Sequence, residues 1–356
     1  MPVPAEVHAL NAQLKAWLFD HALPLWWEVG FDRDKGGCFE KIGQDGRAIE
    51  GPRRARVAAR QAWVYAEAGR LGWTGPWRDA RDHALEALTT TFARDDGLFR
   101  ILAAPDGTSL DETANPYEQA FALLALSGAG RELEAIRTRE AMRDAGLLRP
   151  DGGVLDDGLL RANPMMHLFE AVQAWVEVGE DPDWRDLADT IAATALARLI
   201  DPRTGGLIEL FDTDWRALAD ADVEPGHQFE WGWLLLSHMR GHCPQAERLI
   251  EIGETRGIEQ GVAIFSLDQT LAPCDRSARL WSQTERLHAH AANRNWAGVL
   301  AGAAGLQRYL DVPVQGLWRD RLLPDGAFVD EPAPGSSLYH IISAVSALDR
   351  ACRNSG

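Results

Sequence analysis

Two short strings of this 356-residue chain, NPMMHLFE at 163–170 and EPGHQFEWGWLL at 224–235, place a histidine after a helix start and a glutamate three residues later. Pro164 and the Pro225–Gly226 pair suit a first helical turn or its cap, so His167 and His227 should lie near helix N-termini. Residues three apart are neighbours on one helix face, which lets Glu170 and Glu230 orient or polarise their imidazoles. The helix dipole there favours a neutral imidazole, the form that accepts a proton at pH 7. Two such units point to one pocket that does proton transfer. Taken singly, a histidine on an apolar helix is more often a hydrogen-bonded core residue, so the weight lies on the recurrence. The pair His288 and His290 fits a solvated face about as well as a site.

Positioning these groups falls to a sixfold pattern. Gly-rich segments with alternating apolar residues recur at roughly 53 to 65 residue intervals: GGCFEKIGQDGRAIEG, DDGLFRILAAPDGTSLDE, DGGVLDDG, TGGLIELFDTDWRALAD, QGVAIFSLDQTLAPCD and PDGAFVDEP. Each reads as a hairpin or extended loop of short strands. Between consecutive loops lie two amphipathic, Ala- and Leu-rich helical stretches, such as residues 53–71 and 76–93, then 115–127 and 131–143. Twelve helices result. Six helical hairpins fit an all-α (α/α)6 barrel, an inner ring of six helices within an outer ring of six, with an open solenoid as the alternative. No linker divides residues 1–356, so one closed domain is expected.

Each helix that follows a Gly-rich loop carries unusual polar residues near its start. These are Arg60 and Gln61, Tyr117 and Gln119, His167 and Glu170, His227 and Glu230, then Trp281, Gln283 and Glu285, and finally Tyr339 and His340. Six alternate helices would thus converge on one mouth. Trp63, Trp231, Trp233 and Trp281 read first as core, but any at the mouth could stack on a sugar ring.

Several classes are set aside. A formal charge of −17 argues against nucleic acid and anionic membrane surfaces. No apolar stretch reaches membrane-spanning length and MPVPAEVHAL is not a signal segment, so a cytoplasmic protein is expected. Cys38, Cys243, Cys274 and Cys352 are scattered, which suits reduced thiols. Di-iron bundles use Glu-x-x-His, the reverse of the order here, and no HExxH, GxGxxG or P-loop string occurs, so neither metal nor nucleotide cofactor is expected. No Lys–Arg cluster is visible near the expected mouth, which argues against a ligand with a phosphate or sulfonate handle, although Arg53, Arg54, Arg56 and Arg276 leave that open.

The strings ARQAWVYAEA (59–68), NPYEQAFALLAL (115–126), NPMMHLFEA (163–171), PGHQFEWGWLL (225–235), RLWSQTERLHA (279–289) and LYHIISA (338–344) resemble the N-acylglucosamine 2-epimerase superfamily along nearly the whole chain. The superfamily includes cellobiose 2-epimerases and mannose isomerases, and this chain looks most like bacterial mannose isomerase-type members. The resemblance implies an (α/α)6 barrel. It also implies His227 and His340 as catalytic histidines, with His167, Glu230, Arg60 and Tyr117 lining the pocket. Trp63, Gln119, Asn163, Glu170, Trp231, Trp281, Gln283 and Glu285 complete the expected substrate contacts. The implied chemistry is metal-independent: a histidine takes the proton alpha to the aldehyde of an opened sugar, Arg60 holds the enediolate, and the proton returns to C1 to give a ketose. His227 is assigned proton transfer, oriented by Glu230, and His340 ring opening or the second transfer, with the two roles exchangeable. The expected activity is D-mannose to D-fructose isomerisation, with related sugars such as lyxose and xylulose. Alternatives are a sugar 2-epimerase, a phosphosugar or sulfosugar isomerase, an inverting glycoside hydrolase, and a noncatalytic sugar-binding protein. A small-molecule sugar is the one partner expected, for a monomer or a homodimer.

Overall fold

The computed structural model describes residues 2–353. Among these, twelve helical rods follow one another as α1 (5–29), α2 (55–71), α3 (77–92), α4 (116–129), α5 (132–144), α6 (162–178), α7 (183–199), α8 (225–238), α9 (244–256), α10 (280–292), α11 (296–310) and α12 (337–353). Rods α1, α3 and α7 each contain one π-helical turn, at Leu18–Ala22, Leu88–Phe92 and Ala195–Leu199. The even-numbered helices pack side by side, and α12 returns to α2, so the inner ring is closed. Each odd-numbered helix backs an inner neighbour, with α1 lying against α12. The open solenoid is thereby excluded and the (α/α)6 toroid holds.

Burial follows from this layering. Inner α4, PYEQAFALLALSGA, is buried at every position from Glu118 to Ser127 because helices press on both of its sides. Outer α5, ELEAIRTREAMRD, buries only Ala135, Thr138, Arg139 and Met142, the stripe facing its inner partner. Indole stacking ties the layers together, as where Trp175 and Trp184 lie 5.5 Å apart. His288 and His290, read as suiting a solvated face, are also core: His288 stacks on Trp233 at 3.8 Å, and His290 Nε2 meets Glu254 Oε1 at 2.6 Å.

The Gly-rich loops form short antiparallel strands at the N-terminal ends of the inner helices. The segment entering one inner helix pairs with the next loop: Arg53–Arg54 with Leu102–Ala103, Leu159–Arg161 with Leu210–Phe211, and Ala278–Arg279 with Arg321–Leu322. Lys41–Ile42 pairs with Ala333–Pro334, which joins the first loop to the last. Three glutamines fasten loops to helices by a common device. The amide of Gln119 bonds the backbone N–H and C=O of Phe99, that of Gln228 those of Leu207, and that of Gln283 those of Ala263, all at 2.7 to 3.0 Å. A side-chain amide thus substitutes for a missing strand partner.

Candidate active site

The loops and helix N-termini enclose a cavity of about 390 Å³. All six inner helices or the residues entering them contribute: Arg60, Tyr117, Asn163 and His167, His227 and Glu230, Trp281, and Ser337 and His340. Every inner helix thus places at least one of its expected polar or aromatic residues on the cavity, whereas Gln61, Gln119, Glu170, Gln283, Glu285 and Tyr339 do not line it. Arg60, almost fully buried, donates to Tyr117 Oη at 2.8 Å and to the Ser336 carbonyl at 3.2 Å, with its guanidinium 4.0 Å from the Phe121 ring. Trp281 lies between the two candidate catalytic histidines, 5.0 Å from the His227 ring and 5.9 Å from that of His340. Gly226 makes this possible, since a Cβ there would come within 2.4 Å of the Trp281 ring.

The histidines have opposite electrostatic surroundings. His227 Nδ1 is 3.0 Å from Glu209 Oε2 and 3.6 Å from Glu224 Oε2. Burial alone would lower its pKa, but Glu209 and then Glu224 outweigh that and raise it to about 9. The expectation of a neutral His227 at the helix dipole is therefore corrected, because the attraction of the Glu209 and Glu224 carboxyls outweighs the partial charges of the first helical turn. His340 is held well below the usual histidine range by burial, then by Arg60 and His167. His167 is likewise lowered, by burial and then Arg60 and His227. His340 Nδ1 contacts Glu285 Oε1 at 2.8 Å, and Trp233 Nε1 donates to Glu285 Oε2 at 2.9 Å.

Below the histidines lies a layer of buried carboxyls. Glu230 does not face His227 as expected but approaches His167, its Oε1 3.6 Å from His167 Nδ1, and neither of its oxygens has a hydrogen-bond partner. Burial, then Glu285 and Glu170, push its pKa well above the carboxylate range. Burial raises Glu285 to about 8, against the opposing Trp233 hydrogen bond. Glu170 is raised to about 7 by burial, against the opposing effects of Tyr339, whose hydroxyl donates to its Oε2, and of Arg60.

Other expected contacts lie elsewhere. Gln119 and Gln283 are spent on the loop clamps described above and do not line the cavity. Trp231 is fully buried and stacked on Phe169 at 5.8 Å. Trp63 lines a separate cavity at the opposite end of the barrel. Glu285 and Glu170 stand beneath the cavity lining, behind His340 and His167. Conversely, Glu209 and Glu224 were not anticipated, although Glu224 opens the EPGHQFE string. The absence of a basic cluster is also corrected: Arg54, Arg56 and Arg279 line the mouth, opposed by Glu40, Glu118 and Asp320. Arg53 is instead buried against Asp32, and Arg276 pairs with Glu259.

A solved structure described as a D-mannose isomerase superposes with a TM-score of 0.86 at 21% identity, covering 98% of this chain and 99% of that one, a likeness of fold. In sequence the chain is 40% identical over 378 residues to the "Mannose-6-phosphate isomerase" of Rhizobium meliloti (strain 1021), covering 97% of this chain and 98% of the relative. It is 28% identical over 326 residues to the "D-mannose isomerase" of Thermobifida fusca, covering 74% and 76%. The family model for N-acylglucosamine 2-epimerase (GlcNAc 2-epimerase) matches residues 37–344. With toroid, family match and full-length relative in agreement, the chain belongs to the N-acylglucosamine 2-epimerase family and is an isomerase.

Proposed function

We propose that the enzyme interconverts D-mannose and D-fructose through a cis-enediolate by histidine-mediated proton transfer, with no metal or other cofactor. The observation that carries this reading is the pair of histidines on one cavity, His227 with Glu209 at 3.0 Å and Glu224 at 3.6 Å, which raise its pKa, and His340 beside Arg60 and buried, which lower its pKa. An acid and a base with separated pKa values are what ring opening and enolisation require. His227 protonates the ring oxygen as the sugar opens. His340, its Nδ1 proton directed at Glu285, takes the C2 proton through Nε2 and returns it to C1. Arg60 and Tyr117 stabilise the developing oxyanion. Electrostatics therefore support the exchanged assignment of the two histidines.

A second reading, a phosphorylated hexose, is favoured by the arginines at the mouth and by the name of the Rhizobium meliloti relative. Incubation with D-mannose or D-mannose 6-phosphate in deuterated water, followed by NMR, separates the readings. Ketose carrying deuterium at C1 supports the isomerase, and an epimer labelled at C2 supports a 2-epimerase. A preference of tenfold or more for the phosphorylated sugar, on the order of 1.4 kcal/mol, establishes the second reading. His340→Ala is expected to lower turnover at least about 10²-fold with the helical spectrum retained, and EDTA to leave the rate unchanged. Near-normal turnover in His340→Ala removes that residue from the chemistry.

A further inference from the structure

A second cavity, of about 220 Å³, opens at the end of the barrel opposite the histidine pair, and each of the six inner helices lines it with at least one residue from its C-terminal half. That volume is below the roughly 300 Å³ at which sites for drug-sized ligands begin, so it suits a small molecule. Trp63, Leu124, Ala174, Trp233 and Leu234 give it an apolar wall. The polar groups on it are mainly acceptors. Glu170, 8% exposed, takes the Tyr339 hydroxyl at Oε2, and among the described residues its Oε1 takes no hydrogen bond. Gln173 spends its Nε2 on the Leu234 carbonyl at 3.3 Å, which leaves Oε1 as its free atom. His288, 5% exposed and stacked on Trp233 at 3.8 Å, has an unpartnered Nδ1. Burial, then Arg350, hold it well below the usual histidine range, so one ring nitrogen is an acceptor.

The charge on the wall has the same sense. Arg350, its one guanidinium, is over half exposed and paired with Glu67 at 3.3 Å, whereas Glu177 is exposed and has no ion pair among the described residues. Helix C-termini add partial negative charge, and α6 and α8 bring their last turns to the cavity at Glu177 and Ser237. Glu170 and Glu177 are seven residues apart on α6, hence on one face and about 10 Å apart along the axis. We infer that this rear cavity is a binding site for a small aliphatic diamine, with one ammonium at Glu170, Gln173 and His288, the other at Glu177, and the methylene chain against the indoles and leucines. A primary ammonium carries three donors, which matches the three free acceptors at the buried end. Burial raises Glu170 to about 7, and a cation at its Oε1 offsets that cost.

The test is calorimetric titration of the full chain at about 0.15 M salt, where exposed charges are screened. The probes are 1,4-diaminobutane, n-butylamine and the neutral 1,4-butanediol. The diamine is expected to bind saturably, one molecule per chain, n-butylamine at least tenfold more weakly, and the diol not at all. Gln173→Lys places an ammonium of the chain's own beside Glu170, and Ala174→Phe fills the cavity while leaving every acceptor in place. Each is expected to weaken diamine binding tenfold or more with the helical spectrum retained, and Ala174→Phe decides the matter if Gln173→Lys does not fold. The site is overturned if the wild type shows no saturable binding, if the diol binds as well as the diamine, or if affinity is unchanged in the folded variants, which would put the amine elsewhere on the acidic surface. Equal affinity for n-butylamine overturns the diamine by removing Glu177. None of these readouts involves sugar turnover, so the site stands or falls apart from the isomerase reading.

Discussion

His227 and His340 stand in the first turns of equivalent inner helices, yet the charges that face them differ. Glu209 reaches His227 from the loop that precedes α8, and Glu224 from the residue just before that helix. Glu285 reaches His340 from the adjoining inner helix. For His340 to act as base, the Glu285–His340 pair must lose a proton, and for His227 to act as acid it must keep one. We therefore expect kcat/KM to rise as pH increases through about 8 and to fall through about 9, apparent values that belong to the coupled groups. In Glu209→Gln the carboxylate that raises the His227 pKa is gone. The acid form is then lost at lower pH, and the descending limb should move down by about one unit or more. A pH–rate profile checks this, and an unmoved alkaline limb would assign it to another group. The histidines themselves were legible from their spacing after helix starts. Glu209 was not, because it lies in a Gly-rich segment with no motif and meets His227 only after the loop folds onto the helix.

The recurring unit is a Gly-rich loop, an inner helix and an outer helix, and its integrity depends on side chains that resemble site residues in the sequence. Gln228 follows His227 directly, yet its amide faces the loop and satisfies both backbone groups of Leu207. Gln228→Ala leaves that buried N–H and C=O unpaired, so we expect a loss of about 1–3 kcal/mol of stability, read from urea denaturation. A midpoint equal to wild type would show that water replaces the amide. Helix existence and approximate limits were readable from the apolar period: 53–71 is observed as Ala55–Leu71, and 131–143 as Glu132–Asp144. The division between Gln228 and His227, adjacent residues on one helix, depends on rotation about the helix axis. One faces the loop backbone and the other the cavity, a difference of about 100° that residue type does not reveal.

At the scale of the whole molecule, closure sets the depth and the electrostatics of the site. α1 backs α12, with Lys15 Nζ donating to Asp349 Oδ1 at 2.9 Å and Val7, Leu10, Leu14 and Leu18 buried. Removal of residues 2–29 uncovers the outer side of α12, the helix that carries His340. We expect the shortened protein to lose its cooperative thermal unfolding and its turnover together, as followed by circular dichroism and the mannose assay. A sharp transition at the wild-type temperature would show that the ring closes without α1. The amino-acid sequence by itself determined the sixfold repeat, the twelve helices, the toroid class, the family resemblance and the histidines, because periodicity, helix starts and loop composition are local properties of a chain. Tertiary structure alone decided which histidine is charged, which glutamines and tryptophans leave the site, the arginines at the mouth and the carboxyl layer behind it. Those depend on desolvation and on distances of a few ångströms between residues far apart in the chain, and neither exists until the ring has closed.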